Sequence, residues 1–318
     1  MLRQGSCSDP TQDAEFILDR LDGLGKVIPP EVIEQALVAT GRDKQKACKL
    51  SHRVMLWVIL AMGVLTHLSL RQVFRHARRM HLGDKLPSRS NLCEGRQRLG
   101  VEPVRHLFGQ VVRPLASLNT PGAFYKGFRL VGIDGTVEDV PDTPGNVAYF
   151  GRSSGGRGDS AFPQLRKVSL VELGTHVEVA LAIGGYHDSE QKLTDQLWNK
   201  IPSDALLLED RGFFSYEHWK TLDSQGTKIL ARLKIGLILV PIRRLPDGSY
   251  LAKIYPSPYH RKKDRDGILI RVIEYTIDDP GRPGHGEIHR LGTNLFDHEQ
   301  FPARELACNY HERWEEEL

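Results

Sequence analysis

The sequence predicts an α/β chain: an all-α N-terminal domain, then a mixed β-sheet with helices that carries a β-rich insertion. Three observations support this. Residues 11–118 show helical periodicity and helix caps but no strand pattern. Near Pro121 the pattern changes to short β-branched runs between turn residues. Beyond that point the order is three strands, helix, strand, helix, strand.

The first helix is expected to open at Glu15-Phe16-Ile17-Leu18, and Pro29-Pro30 precedes a second at Glu31-Val32-Ile33. Residues 49–80 are rich in Leu, Val, Met and Ala, and a turn at 66–69 divides them into two helices with Ser69 as N-cap of the second. Arg71, Arg75, Arg78 and Arg79 recur at helical spacing and are expected on one face, with Leu70, Val73 and Phe74 on another. Gly83 and Pro87 end that unit, and Ser90 or Asn91 is expected to cap a helix carrying Arg96 and Arg98. Residues 128–133 read as a strand, 141–162 as a Gly-, Ser- and Pro-rich loop, and 168–173 and 176–183 as strands around a turn at Gly174. A helix over 189–201, a strand over 205–208, a helix over 215–224 and a strand over 229–233 follow. Pro246-Asp247-Gly248 signals a hairpin and 268–277 a strand, with the basic run Arg261-Lys262-Lys263 in the loop between. Pro302-Ala303-Arg304 starts a last helix.

Composition bounds the function. With 318 residues, 40% hydrophobic and 26% charged, the chain is neither disordered, collagenous nor a coiled-coil rod. The net charge of +3 is uninformative, but its distribution is not. Residues 1–40 hold three Lys/Arg against seven Asp/Glu, or −4, whereas 41–114 hold fifteen against four, or +11. Such a local excess suits a polyanion, and equally a solvated helical surface. The cysteines Cys7, Cys48, Cys93 and Cys308 stand too far apart for a zinc motif, so reduced thiols in a cytosolic protein are expected. The longest apolar run, eleven residues over 55–65, falls short of the roughly 20 that span a bilayer. Gly151-Arg152-Ser153-Ser154-Gly155 fits a nucleophile-elbow pattern, but the glycines after it cannot start the helix an elbow needs. Gly156–Ala161 resembles a dinucleotide fingerprint and fails for the same reason.

Three carboxylates stand out by context. Asp134 ends an apolar strand beside Gly135, and Asp210 follows Leu206-Leu207-Leu208-Glu209 in the same way. Glu317 lies on a helical stretch where Tyr310, Arg313 and Glu317, at i, i+3 and i+7, share one side. Singly, each reads as a turn acid or a solvated charge. Together, two strand-end acids and one helix acid make a hard-oxygen site that suits Mg²⁺ or Mn²⁺. Two such ions about 4 Å apart activate an attacking oxygen and stabilise a leaving one at phosphate.

With these residues in place, the chain resembles the insertion-sequence DDE transposases of the insertion-element-four type. Gly132-Ile133-Asp134-Gly135-Thr136 is similar to the first acid motif, and Asp210-Arg211-Gly212-Phe213 to the second. Phe162–Arg166 through Gly174-Thr175-His176 is similar to the segment between them, and Tyr310, Arg313 and Glu317 match the family's Y-(2)-R-(3)-E signature. Upstream, Leu86–Ser90 followed by Arg96–Gly100 is similar to the N-terminal domain.

The resemblance implies an RNase H-like core over 121–235, preceded by a helical DNA-binding domain over 1–120. It also implies a β-rich insertion over 236–300 and the start of the C-terminal catalytic helix over 301–318. Asp134, Asp210 and Glu317 would be the catalytic and metal-binding acids, holding two Mg²⁺ or Mn²⁺ ions. Tyr310 and Arg313 would contact DNA near the cut, and Arg71, Arg75, Arg78, Arg79, Arg96 and Arg98 would bind the double-stranded terminal inverted repeats. The implied setting is a homodimer on transposon ends and target DNA in the bacterial cytoplasm, nucleoid-associated, with no membrane. The family signature continues with a Lys seven residues after the Glu, at 324, beyond Leu318. The corresponding expectation is a truncated copy of weak or no activity. The alternatives are a non-catalytic DNA-binding remnant and a general metal-dependent nuclease of the same fold.

Overall fold

A computed structural model of the protein describes residues 10–44, 48–81, 83–155, 158–278, 281 and 285–315. The chain divides into two compact units between Val112 and Arg113.

The first unit holds α1 (Pro10–Val27), α2 (Pro30–Ala39), α3 (His52–Val64), α4 (Leu70–Ala77), α5 (Arg89–Leu99) and α6 (Glu102–Val111). Its core gathers Leu37, Met55, Leu56, Val73, Phe74, Leu92 and Leu99. Ser69 caps α4 in a reciprocal box with Gln72, as the sequence predicts. Ser88, rather than Ser90 or Asn91, caps α5. The expected common face of four arginines does not form. Helix α4 ends at Ala77, Arg78 is its C-cap, and Arg79 adopts a left-handed φ of 48°. The amides of Arg79 and Met80 bond back to the carbonyls of His76 and Arg75, the pattern of a Schellman stop.

The second unit is a sheet with helices on both faces. Its elements are β1 (Phe124–Tyr125), β2 (Phe128–Asp139), α7 (Pro144–Phe150), β3 (Ser154–Gly155), β4 (Gly158–Asp159), β5 (Gln164–Glu172), β6 (Val177–Gly185), α8 (Glu190–Thr194), β7 (Ala205–Glu209), α9 (Tyr216–Ser224), β8 (Lys228–Arg232), β9 (Arg243–Arg244), β10 (Tyr250–Ile254), α10 (Pro258–Lys262), β11 (Ile268–Thr276), β12 (Ile288–Thr293) and α11 (Ala303–Glu315). Among the described residues ten strands form one sheet in the order β6-β5-β2-β7-β8-β12-β11-β10-β9, with β1 beside β2. Of its strand pairs, β2–β7 and β7–β8 are parallel. The strands of the β-rich segment therefore continue the core sheet, because β12 pairs antiparallel with β8.

One face packs Val131, Ile133, Leu207 and Ile229 against Leu193, Trp219 and Leu222 of α8 and α9. The other packs Leu130, Leu206, Leu208, Leu230, Ile273 and Leu291 against Leu306 and Tyr310 of α11. At the β5–β6 turn Gly174 has φ +82°, and a Cβ there would stand 2.5 Å from the Pro121 carbonyl oxygen.

Other expectations shift locally. The segment 141–162 contains α7 and the β3–β4 ribbon, and the run at 261–263 lies at the end of α10. The helix expected over 189–201 is only α8 followed by a 3₁₀ turn at Trp198–Lys200. The amides of Gln196 and Leu197 bond to carbonyls three residues back, and Trp198 donates to Asp195 at 3.2 Å. This tightening buries Leu193, Leu197 and Trp198 together. Cys48, Cys93 and Cys308 are free thiols. Among the described residues no helix is long and apolar enough to cross a membrane.

Candidate active site

Strand β2 does not stop before Asp134. It continues to Asp139 against β5, while its parallel pairing with β7 ends at Ile133↔Glu209. One residue beyond that last pair stand Asp134 and Asp210, on strands about 4.8 Å apart. Alternation fixes their direction. Val131 and Ile133 face α8 and α9, so Asp134 shares the opposite face with Leu130.

Helix α11 lies on that face and reaches Asp210 directly. Tyr310 is 1% exposed, and its hydroxyl lies 3.3 Å from the Glu209 carbonyl oxygen and 3.4 Å from Asp210 Oδ1. The helix tyrosine thus meets Asp210, and strand alternation puts Asp134 on the same face. Arg313 falls on α11 three residues later, and Glu317 lies outside the described residues.

Two features of this site escaped the sequence reading. Ser169 is the antiparallel partner of Asp134. It is 4% exposed, and its hydroxyl has no hydrogen-bond partner among the described residues. Val168 and Leu170 face α8 and α9, so Ser169 shares the face of Asp134. A serine inside an apolar strand gives no local signal of this.

The second feature holds α11 in place. Arg271 is fully buried and donates to the carbonyls of Leu295 at 3.0 Å and Phe301 at 2.8 Å, to Ser249 Oγ at 2.9 Å, and to Asp247. Asp247 in turn accepts the first amide of α11, from Ala303, at 2.9 Å. Burial works against ionising Asp247, but the Ser249 hydroxyl, the Ala303 amide and the Arg271 guanidinium outweigh it and hold the carboxyl below the usual aspartate value. A lone arginine amid Ile268-Leu269-Ile270 and Val272-Ile273 is a legible sign of a buried partner.

On the opposite face Gly135 makes room for the carboxyl of Glu190, which a Cβ would approach to 3.2 Å. Arg166 pairs with that carboxylate at 2.9 Å and joins β5 to the start of α8.

The donors suit a hard divalent cation. Asp134 and Asp210 each follow the last β2–β7 pair by one residue, and Ser169 is the strand partner of Asp134; carboxylate and hydroxyl oxygens are the donors that Mg²⁺ or Mn²⁺ prefers. Among the described residues no three His, Cys, Asp or Glu side chains gather at metal-binding distance.

The basic residues distribute unevenly in the first unit. Arg71, Arg96 and Arg98 are exposed, and Arg75 is half-buried. Arg78 borders a cavity with Trp57 and Leu21. Arg79 pairs with Asp22 at 2.6 Å.

Residues 18–109 match the family model described as insertion element 4 transposase N-terminal, and residues 126–318 match the transposase DDE domain. Transposase InsG for insertion sequence element IS4 of Escherichia coli (strain K12) is 29% identical over 321 residues, covering 99% of this chain and 71% of that protein. InsZ of the same strain is 26% identical over 206 residues, covering 63% of this chain and 66% of that protein. The DDE match spans more than half of the chain, and the chain belongs to the insertion element 4 family of DDE transposases.

Proposed function

We propose that this chain cleaves DNA at the ends of an insertion element and joins the freed end to another site. Water attacks the scissile phosphorus and the P–O3′ bond breaks, leaving a 3′-hydroxyl and a 5′-phosphate. That hydroxyl then attacks a second phosphodiester, forming one P–O bond as another breaks. The observation that carries this reading is the placement of Asp134 and Asp210 on one face with Tyr310 against Asp210. Asp134 and Asp210, with Glu317 as the proposed third acid, would hold Mg²⁺ or Mn²⁺. When bound, such ions supply Lewis-acid stabilisation of charge developing at phosphate.

The protein's own groups position the reactants. Tyr310 fixes the rotamer of Asp210, and the Arg271–Asp247 pair sets the start of the helix that carries Tyr310. Arg313 would contact the phosphate near the cut. The first unit would hold the terminal repeats through backbone phosphates, which position the duplex without reading its sequence. Two copies would act on paired ends.

The test uses a labelled duplex carrying the element's end, with Mg²⁺. The wild-type chain is expected to nick it and leave a 3′-hydroxyl. Asp134→Asn is expected to bind the duplex equally and leave it intact. Loss of binding together with cleavage would remove Asp134 from its assigned role.

A further inference from the structure

Outside the acid site, a basic pocket in the first unit is built from three separate stretches of chain. Lys49 comes from the segment before α3, Arg71 from the first turn of α4, and Lys85 and Arg89 from the entry into α5. With Ser88 and Asn91 they line a concavity of about 610 Å³, and no carboxylate is among its described lining residues. The four cations are exposed, and none pairs with an acid among the described residues. Three other arginines of the unit are paired with acids: Arg53 with Glu34, Arg79 with Asp22 and Arg105 with Glu102. Four like charges around one hollow repel each other unless an anion sits among them. Cations from separate segments also match a ligand with several separated negative charges better than a single small anion.

We infer that this pocket is a backbone-phosphate clamp for duplex DNA, with Lys49, Arg71, Lys85 and Arg89 as its contacts. The inference rests on the DNA reading above and narrows it. Arg71 belongs to the clamp, whereas Arg79 is committed to Asp22. Three contacts, Lys49, Lys85 and Arg89, lie outside the set that helical spacing suggests. Contacts of this kind carry no base information, so a duplex of arbitrary sequence is a sufficient probe.

The experiment measures anisotropy of a labelled 40-base-pair random-sequence duplex with the full chain across a series of KCl concentrations, without divalent metal. Each of Lys49→Gln, Arg71→Gln, Lys85→Gln and Arg89→Gln is expected to lower the slope of log affinity against log salt by about 0.9. Two substitutions together should lower it by about twice that. Arg53→Gln and Arg105→Gln, which alter paired arginines, should leave it unchanged. These are surface changes, and equal melting temperatures confirm that folding is intact. Unchanged slopes in the four pocket variants, or equal losses in the two controls, overturn the clamp. So does failure of the wild-type chain to bind the duplex. Asp134→Asn separates the two ideas. If it abolishes cleavage while the pocket variants bind normally, the clamp falls and the catalytic reading stands. If the pocket variants lose slope but no chain cleaves an element end, the clamp stands and the catalytic reading falls.

Discussion

The hydroxyl of Tyr310 lies 3.4 Å from Oδ1 of Asp210, although 100 residues separate them in sequence. This contact ties the last helix to the end of the central parallel strand β7. Removing the hydroxyl in Tyr310→Phe keeps the ring in its apolar bed and frees the Asp210 carboxylate to turn. The expected cost to stability is about 1 kcal/mol, read by urea unfolding. Cleavage should slow by roughly tenfold or more. An unchanged rate would make the contact structural only.

Ser169 offers a second test. Its buried hydroxyl faces the same side as Asp134, across one antiparallel pair. Ser169→Ala removes a buried polar atom that lacks a partner among the described residues, so stability should hold or rise slightly. If the hydroxyl orients Asp134, Mn²⁺ binding followed by paramagnetic resonance should weaken by roughly tenfold. Ser169→Thr should retain binding. Equal Mn²⁺ affinity in wild type and Ser169→Ala would exclude this role.

Arg271 is fully buried and paired with Asp247. Arg271→Met keeps most of the volume but strands the Asp247 carboxylate and the carbonyls of Leu295 and Phe301. The expected loss is about 3–5 kcal/mol, measured by chemical denaturation. Protection of α11 amides in hydrogen exchange should fall most. Uniform loss of protection over the whole sheet would contradict a local anchoring role.

Asp247 also gives the fold an acid limb. Its folded carboxyl titrates below the ordinary aspartate value, so the unfolded chain takes up its proton first as pH falls. Its contribution is full above the unfolded value of about 3.9 and is lost as pH drops through the lower folded value. Glu172 acts in the same direction. Burial opposes its ionisation, but Thr175, the amides of Leu115 and Ala116, and Arg129 outweigh that. Melting temperature should therefore fall steeply below about pH 4. In Asp247→Asn the limb should be shallower, with Glu172 supplying the remainder. An identical acid limb in both proteins would contradict the assignment.

Much of this was legible locally, and the exceptions have physical reasons. Asp134 and Asp210 were visible because an acid at the end of an apolar run is unnecessary for packing. Their adjacency was not, because parallel register is a long-range property. After 236 the hairpin turn at 246–248 and the strand over 268–277 were readable, yet the membership of this segment in the core sheet depends on β12 docking on β8. The four-arginine face failed where Arg79 turned left-handed and closed α4, since a Schellman stop normally announces itself with glycine. The long helix over 189–201 failed because burying Trp198 favoured a tighter turn.

The central claim is that Asp134 and Asp210 act as one catalytic unit, and a double-mutant comparison of cleavage rates tests it most directly. Asp134→Asn and Asp210→Asn should each lower the rate of end cleavage by about a thousandfold or more, and the double variant should be no slower than either. Duplex affinity should be unchanged in all three. Either single variant cutting within tenfold of wild type, or losses that multiply in the double variant, would contradict the account.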